Sequence, residues 1–309
     1  MDLRVFTEPQ QGTTFAQLLR FAELSEHLGF SGFFRSDHFL FIGDTPPRPS
    51  VSDAWVTLGA LAVKTSKIRL GTLMTSATFR LPGPLAVAVG QVDVMSGGRV
   101  ELGIGAGWYE REHRAYDIPF PPVQERFDRL EEQLEIIDGL WSTPEGETFD
   151  YTGKHYRLEQ CPMVFRPLQE PHPPIIIGGH GPRRTPALAA RFASEFNMSG
   201  GNTEDVVQQF ARVDEACRQI GRDPASLTKS VWMTTCIGRD EATFERRAAF
   251  IGRDRDELRE HALAGLPEQA AAALDRCRKA GAARVYLQFV DLEDVAHLEL
   301  AAEVLGSAS

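Results

Sequence analysis

Two side chains that could move a proton stand together in the segment FRSDHF. Asp37 and His38 are adjacent there, just beyond the end of an apolar run. Histidine titrates near neutral pH, so a histidine at such a position is a natural proton donor. The same pattern is equally typical of an aspartate that caps a turn beside an ordinary polar histidine. This segment alone leaves both interpretations open.

Hydroxyl side chains follow a second apolar run, in the segment LGTLMTSATFR. Thr75, Ser76 and Thr78 have no base within sequence reach that could activate them as nucleophiles. They are suited to hydrogen bonding with a neutral heterocycle. For each residue taken singly, a hydroxyl that satisfies loop backbone is the simpler interpretation.

Alternating glycines interrupt a third run, ELGIGAGWY. The dinucleotide fingerprint G-x-G-x-x-G opens a helix directly after a strand, and here Trp108 occupies the place of its last glycine. The dinucleotide fingerprint is therefore absent. Gly105 and Gly107 would let the backbone approach a flat ligand, and Trp108 and Tyr109 would form a wall beside it.

A fourth run ends in IIIGGHGPRRT, where Gly178, Gly179 and Gly181 precede a helical pattern. Free backbone N–H groups at a glycine-rich helix start bind anions, and the helix dipole favours negative charge there. The adjacent Arg183 and Arg184 add positive charge, and a phosphate is the simplest ligand. Together the four segments predict a site for a flat ring with a phosphate tail.

The elements that must position these segments are strands alternating with amphipathic helices. Such alternation predicts a parallel sheet covered by helices, and eight repeats favour an α/β fold of the (β/α)₈ TIM-barrel type. We interpret residues 1–309 as one such domain, with the chemistry at the carboxyl ends of its strands. The candidate strands are 3–6, 30–35, 68–74, 99–104, 174–177, 195–198, 231–237 and 285–289.

Two intervals, after strands four and seven, are too long for one helix and its loops. The first, 104–174, contains a helix and then FDYTGKHYRLEQ, whose centre predicts a hairpin turn. The second, 237–285, contains the charged stretch GRDRDELREHALAG. Insertions at this end of a barrel commonly form walls or lids of the active site.

The composition argues against several classes of partner. A net charge of −10 disfavours nucleic acid and anionic membranes as partners. No apolar run approaches the roughly 20 residues that span a bilayer, and MDLRVFTEPQ does not resemble a signal peptide, so we expect a cytoplasmic protein. The four cysteines and eight histidines form no close ligand pairs, and we predict no metal.

The four strand-end segments quoted above, together with GKHY in the first insertion, resemble the luciferase-like monooxygenase superfamily. The resemblance is strongest to its deazaflavin- and flavin-dependent oxidoreductases. The resemblance covers nearly the whole chain. It implies a (β/α)₈ barrel that binds coenzyme F420, or alternatively FMN, with His38 as the catalytic residue near the reactive carbon. It also implies a cis peptide at Leu73–Met74 and a phosphate turn at 178–185. The cofactor-binding residues that it implies are Asp37, Leu73, Met74, Thr75, Ser76, Ala106, Gly107, Trp108, Gly178, Gly179, His180, Gly181 and Thr185.

One difference between this chain and the family's motifs limits the reactions that we expect. Sugar-phosphate dehydrogenases of this branch carry a catalytic glutamate where this chain has Trp108, so we expect hydride transfer between reduced F420 and another small organic substrate. An FMN-dependent monooxygenase is the alternative. A barrel hydrolase that uses Glu8 and Asp37, and a non-catalytic flavin-binding barrel, are the readings from other classes. The resemblance also predicts a homodimer.

Overall fold

The computed structural model describes residues 1–43, 50 and 53–306. Strands and helices alternate along the chain, as the sequence predicts. The strands are β1 (Asp2–Thr7), β2 (Gly32–Arg35), β3 (Arg69–Thr72), β4 (Thr75–Ser76), β5 (Val100–Gly105), β6 (Thr148–Thr152), β7 (Arg157–Pro162), β8 (Ile175–Gly178), β9 (Glu195–Ser199), β10 (Thr228–Ile237), β11 (Leu263–Gly265) and β12 (Arg284–Phe289). The helices are α1 (Phe15–His27), α2 (Ala54–Lys64), α3 (Pro82–Ser96), α4 (Glu110–Ala115), α5 (Val123–Ser142), α6 (Arg184–Phe192), α7 (Thr203–Gln219), α8 (Glu241–Ile251), α9 (Arg255–His261), α10 (Pro267–Lys279) and α11 (Val295–Gly306).

Eight of these strands close into a parallel barrel, which confirms the predicted TIM-barrel fold. The ring runs β1–β2–β3–β5–β8–β9–β10–β12, and β12 pairs with β1 to complete it. The two short strands β4 and β11 pair alongside β5 and β10. All of the mouth segments therefore follow neighbouring strands at one end of the ring.

The third strand is shorter than predicted. The sequence indicates a strand over 68–74, but β3 ends at Thr72 and β4 begins at Thr75. Between them lies the cis peptide bond of Leu73–Met74, at the position that the family resemblance predicts. The Leu73 N–H still donates to the Arg35 carbonyl at 2.8 Å, so the chain leaves the barrel only after that residue.

Both predicted insertions are present, and residues of each line the mouth cavity. The first contains α4, α5 and the antiparallel hairpin β6–β7, whose turn lies at the predicted TGKH segment. The second contains α8, α9, β11 and α10, and the charged stretch at its centre forms the short helix α9. No helix within the described ranges is long and apolar enough to cross a bilayer.

Apolar residues at helical spacing run along α5 and have two roles. Leu130, Leu134 and Ile137 are buried against the barrel, as a stripe at helical spacing predicts. At the amino end of the helix, Val123 is 53% exposed and lies with Phe127 beside the mouth of the barrel. The stripe therefore continues from the core into the candidate site.

Candidate active site

The carboxyl ends of the barrel strands surround a cavity of about 760 Å³. This volume is in the usual range for a site that binds a cofactor or a small molecule. Loops from both halves of the barrel contribute to its wall, and Asp37 is the one predicted site residue that does not. The predicted residues on the wall are His38, Leu73, Met74, Thr75, Ser76, Ala106, Gly107, Trp108, Gly178, Gly179, His180, Gly181 and Thr185.

His38 is held by a glutamate from the first turn of α4. Its Nδ1 lies 2.8 Å from Glu112 Oε1, and the other oxygen of that buried carboxylate accepts the Phe39 N–H at 2.9 Å. Because a carboxylate can only accept, Nδ1 carries a proton in this pair. The ring nitrogen left for a ligand in the cavity is Nε2.

Aromatic rings flank His38. Trp108 and Tyr109 meet its ring edge-on, with centroid distances of 5.7 and 6.0 Å. The Tyr109 hydroxyl donates to the Phe41 carbonyl at 2.9 Å, which ties α4 to the loop after β2. Trp108 is 61% exposed and presents an apolar surface at the cavity edge.

Asp37 lies behind the cavity wall. It is fully buried and accepts hydrogen bonds from Thr75 Oγ1 at 2.9 Å and from Arg80 Nη1 at 2.5 Å. Trp55 Nε1 donates to the same threonine oxygen at 3.2 Å. Asp37 therefore positions Thr75. A hydrolase that needs Asp37 as a second mouth carboxylate does not fit this arrangement.

Glu8, directly after β1, lines the cavity, as Glu112 does. Glu8 is held by two amides. Its oxygens accept the side-chain amides of Gln288 at 2.8 Å and Gln10 at 3.4 Å. Burial raises the pKa of Glu8 above its ordinary value, although His38 and the two amides oppose this shift. A carboxyl group with a raised pKa in a cavity is a candidate for proton transfer.

The Glu8 network continues across the cavity floor. Gln288 Oε1 accepts the Thr234 hydroxyl at 2.6 Å, and that hydroxyl accepts Arg253 Nη1 at 3.0 Å. Arg253 comes from the second insertion. The insertion after strand seven thus reaches the floor of the site through a chain of hydrogen bonds.

The glycines of GIGAG have separate purposes. A side chain at Gly103 would bring its Cβ within 2.0 Å of the Thr72 carbonyl oxygen, so this glycine permits strand packing inside the barrel. Gly107 has a φ of +79°, and a Cβ there would lie 2.3 Å from Ser76 Oγ. Gly107 is therefore required by backbone conformation and by close approach to the loop after β3.

Met74 connects the third strand with the phosphate-turn side of the cavity. A Cβ at Gly178 would lie 2.4 Å from Met74 Cε, and one at Gly105 would lie 3.9 Å from Met74 Sδ. The thioether therefore extends over the glycines of two neighbouring strands. These contacts leave a slot bounded by backbone and by Met74, which suits a flat ring.

The glycine-rich turn before α6 has the features of an anion site. No side chain of the described residues caps this helix, and its first N–H groups have no intrahelical acceptor. Gly179 has a φ of +129°, and a Cβ at Gly181 would lie 2.8 Å from Thr185 Oγ1. Thr185 is buried and faces the cavity. The turn can therefore present backbone donors and a hydroxyl to a phosphate.

Gln209 of α7 holds this turn from behind. Its side-chain amide donates to the carbonyls of Gly179 at 3.3 Å and Gly181 at 2.9 Å, and its oxygen accepts Arg212 Nη1 at 3.0 Å. Gln209 is almost completely buried. Because both carbonyls are directed towards α7, the conformation of the turn is fixed before any ligand binds.

Arg184 does not supply the uncompensated positive charge that the sequence predicts beside the glycine-rich turn. Its guanidinium pairs with Asp128 at 2.5 Å and Glu131 at 3.2 Å on α5. The charge is therefore compensated by neighbouring carboxylates. Its role in this structure is to join α6 to α5.

The sequence analysis missed Glu112 and Gln209. Glu112 closes a Y-x-x-E pattern that begins at Tyr109, and this spacing does not by itself indicate a bond to His38. Gln209 lies on a helix whose apolar stripe predicts core packing, and no motif marks it. Within the described part of the chain, no cluster of three His, Cys, Asp or Glu side chains is arranged to hold a metal ion.

The comparisons with known proteins agree with this architecture. The family model described as luciferase-like monooxygenase matches residues 1–301. An F420-dependent glucose-6-phosphate dehydrogenase from Microbacterium testaceum is 34% identical, over 67% of this chain and 60% of the relative. An F420-dependent hydroxymycolic acid dehydrogenase from Mycobacterium tuberculosis is 30% identical, over 77% of this chain and 63% of the relative. The chain thus spans less than two thirds of the length of either curated relative.

A solved structure shares the whole fold. An F420-dependent secondary alcohol dehydrogenase, in complex with an F420-acetone adduct, superposes with a TM-score of 0.85 at 19% identity. The match covers 100% of this chain and 99% of the other. The matched family model, together with the barrel and its mouth, shows that this chain belongs to the luciferase-like monooxygenase family.

Proposed function

We propose that the protein is an oxidoreductase that uses coenzyme F420 to transfer a hydride to or from a small organic substrate in the mouth cavity. The observation that carries this proposal is the Glu112–His38 pair, which directs one imidazole nitrogen towards a cavity with a ring slot and an anion turn. The names of the two relatives from Microbacterium testaceum and Mycobacterium tuberculosis favour F420 as the cofactor. An FMN-dependent monooxygenase is the second candidate, because the family description includes that chemistry.

The residues present fit such a cofactor. Gly107 and Gly178 let the backbone pack closely against Ser76 and Met74, so this part of the cavity wall consists of backbone and a thioether, which suits a planar ring. The uncapped start of α6 suits a phosphate on the same molecule. Bound F420 would supply the hydride donor or acceptor carbon, and the protein would supply binding, orientation and proton handling.

We assign proton handling to His38. With Nδ1 occupied by Glu112, Nε2 can hold or release the proton of a substrate oxygen as a carbonyl and an alcohol interconvert. Glu112 keeps the ring in one orientation. Glu8, whose pKa is raised by burial, lies on the same cavity wall and can exchange protons with groups there.

We propose an apolar organic substrate. The cavity wall includes the apolar side chains of Trp108, Val123, Phe127, Trp232 and Ile251. Trp108 is 61% exposed and Val123 is 53% exposed, so both present apolar surface to an incoming molecule. Burial of such surface favours a ligand with hydrocarbon or ring character over a sugar phosphate.

Fluorescence titration of the purified protein with F420 and with FMN tests the cofactor. We expect tighter binding of F420; tighter binding of FMN would support the monooxygenase candidate. Gly107→Ala should weaken F420 binding, because its Cβ intrudes on Ser76. Gly146→Ala is the matched control, since Gly146 has a similar φ of +82° with no atom within 4 Å of an added Cβ.

We also propose that the protein forms a homodimer through the outer face of α2 and α3. Val56 and Val63 of α2 are 74% and 60% exposed, and Met95 of α3 is 42% exposed. A Cβ at Gly59, between the two valines, would lie 3.6 Å from Met95 Cε, so these groups are adjacent. Apolar surface of this kind marks interfaces. Light scattering of the protein and of Val63→Lys should show a dimer that the substitution weakens, and a monomeric native protein would contradict the proposal.

A further inference from the structure

Ser76, Thr78 and His113 form a hydrogen-bond chain that the proposed proton handling does not use. Ser76 Oγ lies 2.6 Å from Thr78 Oγ1, which lies 2.5 Å from His113 Nε2. His113 is fully buried on α4, between the rings of Phe79 and Phe120 at centroid distances of 5.0 and 4.6 Å. Ser76 lies on the wall of the mouth cavity. The chain therefore leads from a buried imidazole to the ligand site.

The hydrogen bond at the His113 end fixes the direction of every bond in the hydrogen-bond chain. His113 Nδ1 lies 2.8 Å from the Tyr109 carbonyl oxygen, which can only accept, so Nδ1 carries a proton. In the neutral imidazole, Nε2 is then an acceptor, and the Thr78 hydroxyl donates to it. Ser76 must in turn donate to Thr78. The single hydroxyl proton of Ser76 is thus engaged inside the wall, and its oxygen can only accept from a ligand.

The hydroxyl of the neighbouring Thr75 has different hydrogen-bond partners. Thr75 donates to Asp37 at 2.9 Å and accepts from Trp55 Nε1 at 3.2 Å, so both functions are used within the protein. Ser76 retains free acceptor capacity. Gly107 lets backbone cover the chain, because a Cβ there would lie 2.3 Å from Ser76 Oγ and 3.2 Å from Thr78 Oγ1.

We infer that His113 and Thr78 are positioning residues that make Ser76 a fixed acceptor for an N–H group on the bound heterocycle. The inference rests on the proposed function and deepens it, since it concerns how that same site recognises its ring. The imide N–H of a flavin or deazaflavin ring is a donor of the required kind. A ring with an alkylated imide nitrogen lacks this donor and is disfavoured.

A double-mutant cycle tests whether Thr78 acts through Ser76. The probe is the deazaflavin chromophore of F420 without its phosphate tail, titrated by fluorescence. We expect Ser76→Ala to weaken binding about tenfold and Thr78→Val to weaken it several-fold, as for loss of one neutral hydrogen bond. In the Ser76→Ala background, Thr78→Val should cause no further loss. Additive losses, or no loss in Thr78→Val, would overturn the inference.

A second titration tests the direction of the bond. Methylation of the imide nitrogen of the same chromophore should weaken binding about tenfold to the native protein and little to Ser76→Ala. An equal loss in both proteins would overturn the acceptor assignment. Thr235→Val is the control for the Thr78 substitution, because Thr235 Oγ1 is buried with no partner among the described residues and is outside the mouth-cavity wall. Failure of the native protein to bind F420 and its chromophore would instead reject the proposed function.

Discussion

Glu101 and Glu8, at opposite ends of the barrel, differ in the groups that surround them. At the amino end, Glu101 of β5 accepts Arg4 Nη1 at 2.7 Å and also pairs with Arg69. Burial alone would raise the pKa of Glu101, but Arg4 and Arg69 lower it below its ordinary value. At the carboxyl end, Glu8 accepts hydrogen bonds from two side-chain amides, and burial raises its pKa. At Glu101 the arginines outweigh the effect of burial on the pKa, whereas at Glu8 burial outweighs the opposing effects of His38 and the two amides.

This difference separates stability from chemistry. A carboxylate held between arginines has a fixed charge and contributes to a unique packing of the strands. A carboxyl group that is shielded but not neutralised can change its protonation state during a reaction. Arg4 is likewise held by its own surroundings, because its guanidinium carbon lies 5.2 Å from the ring centroid of Phe34 and 5.7 Å from that of Tyr286 inside the barrel. The amino end is thus closed by its own pairs, while the mouth retains groups that a ligand can use.

The largest expected effect follows from breaking the amino-end pair. Arg4→Met should destabilise the protein by about 3 kcal/mol, because Glu101 loses a buried partner while its charge remains. Chemical denaturation measures the change, and the affinity for F420 should stay within a few-fold of the native value. The double variant Arg4→Met/Glu101→Met should recover part of the stability, since it removes the buried carboxylate that has lost one of its two arginines. A native-like stability of Arg4→Met would contradict the division between the two ends.

The next largest effect is expected for substitutions of His38 at the mouth, and it should change the rate of the chemical step but not cofactor affinity. His38→Ala should bind cofactor almost normally but lose at least about a hundredfold in the chemical step, as expected when a general acid is removed. His38→Asn separates hydrogen bonding from proton donation, because its amide donates but is a poor acid. Single-turnover measurement with an accepted substrate avoids steps limited by product release. Native-like rates in both variants would reduce His38 to a packing residue.

The comparison also shows what the sequence could and could not predict. The eight strands, both insertions and the hairpin follow from periodicity and turn signals, which are local. Most mouth residues follow strand ends, so their convergence on one cavity is a consequence of barrel topology. The Glu112–His38 bond joins residues separated by 74 positions, and its existence depends on how the loop before α4 folds. The burial of Asp37 behind Thr75 depends in the same way on Arg80, which no motif associates with it.

A smaller effect, on binding affinity, should distinguish the phosphate tail of F420 from its chromophore. Gln209→Met keeps the size of the side chain but removes the amide that holds the carbonyls of Gly179 and Gly181. We expect about tenfold weaker binding of F420, because the turn loses one or two hydrogen bonds that preorganise it. The chromophore without the phosphate tail should bind as tightly as to the native protein. Equal weakening of both ligands would indicate a general packing defect.

The smallest expected effect is a pH-dependent gain of stability in Glu8→Gln. A carboxyl group whose pKa is raised on folding stabilises the folded state below its unfolded pKa, near the ordinary value of 4.5, and this contribution is lost as the pH rises through the folded pKa. Replacement by an amide should therefore have little effect below pH 4.5 and should raise stability at neutral pH. Thermal unfolding of the variant and the native protein across this range measures the difference. Glu147→Gln, at an exposed position, is the control and should show no such trend. A gain confined to low pH would mean that Glu8 is stabilised as a carboxylate, as Glu101 is, and the contrast between the two ends of the barrel would fail at its central residue.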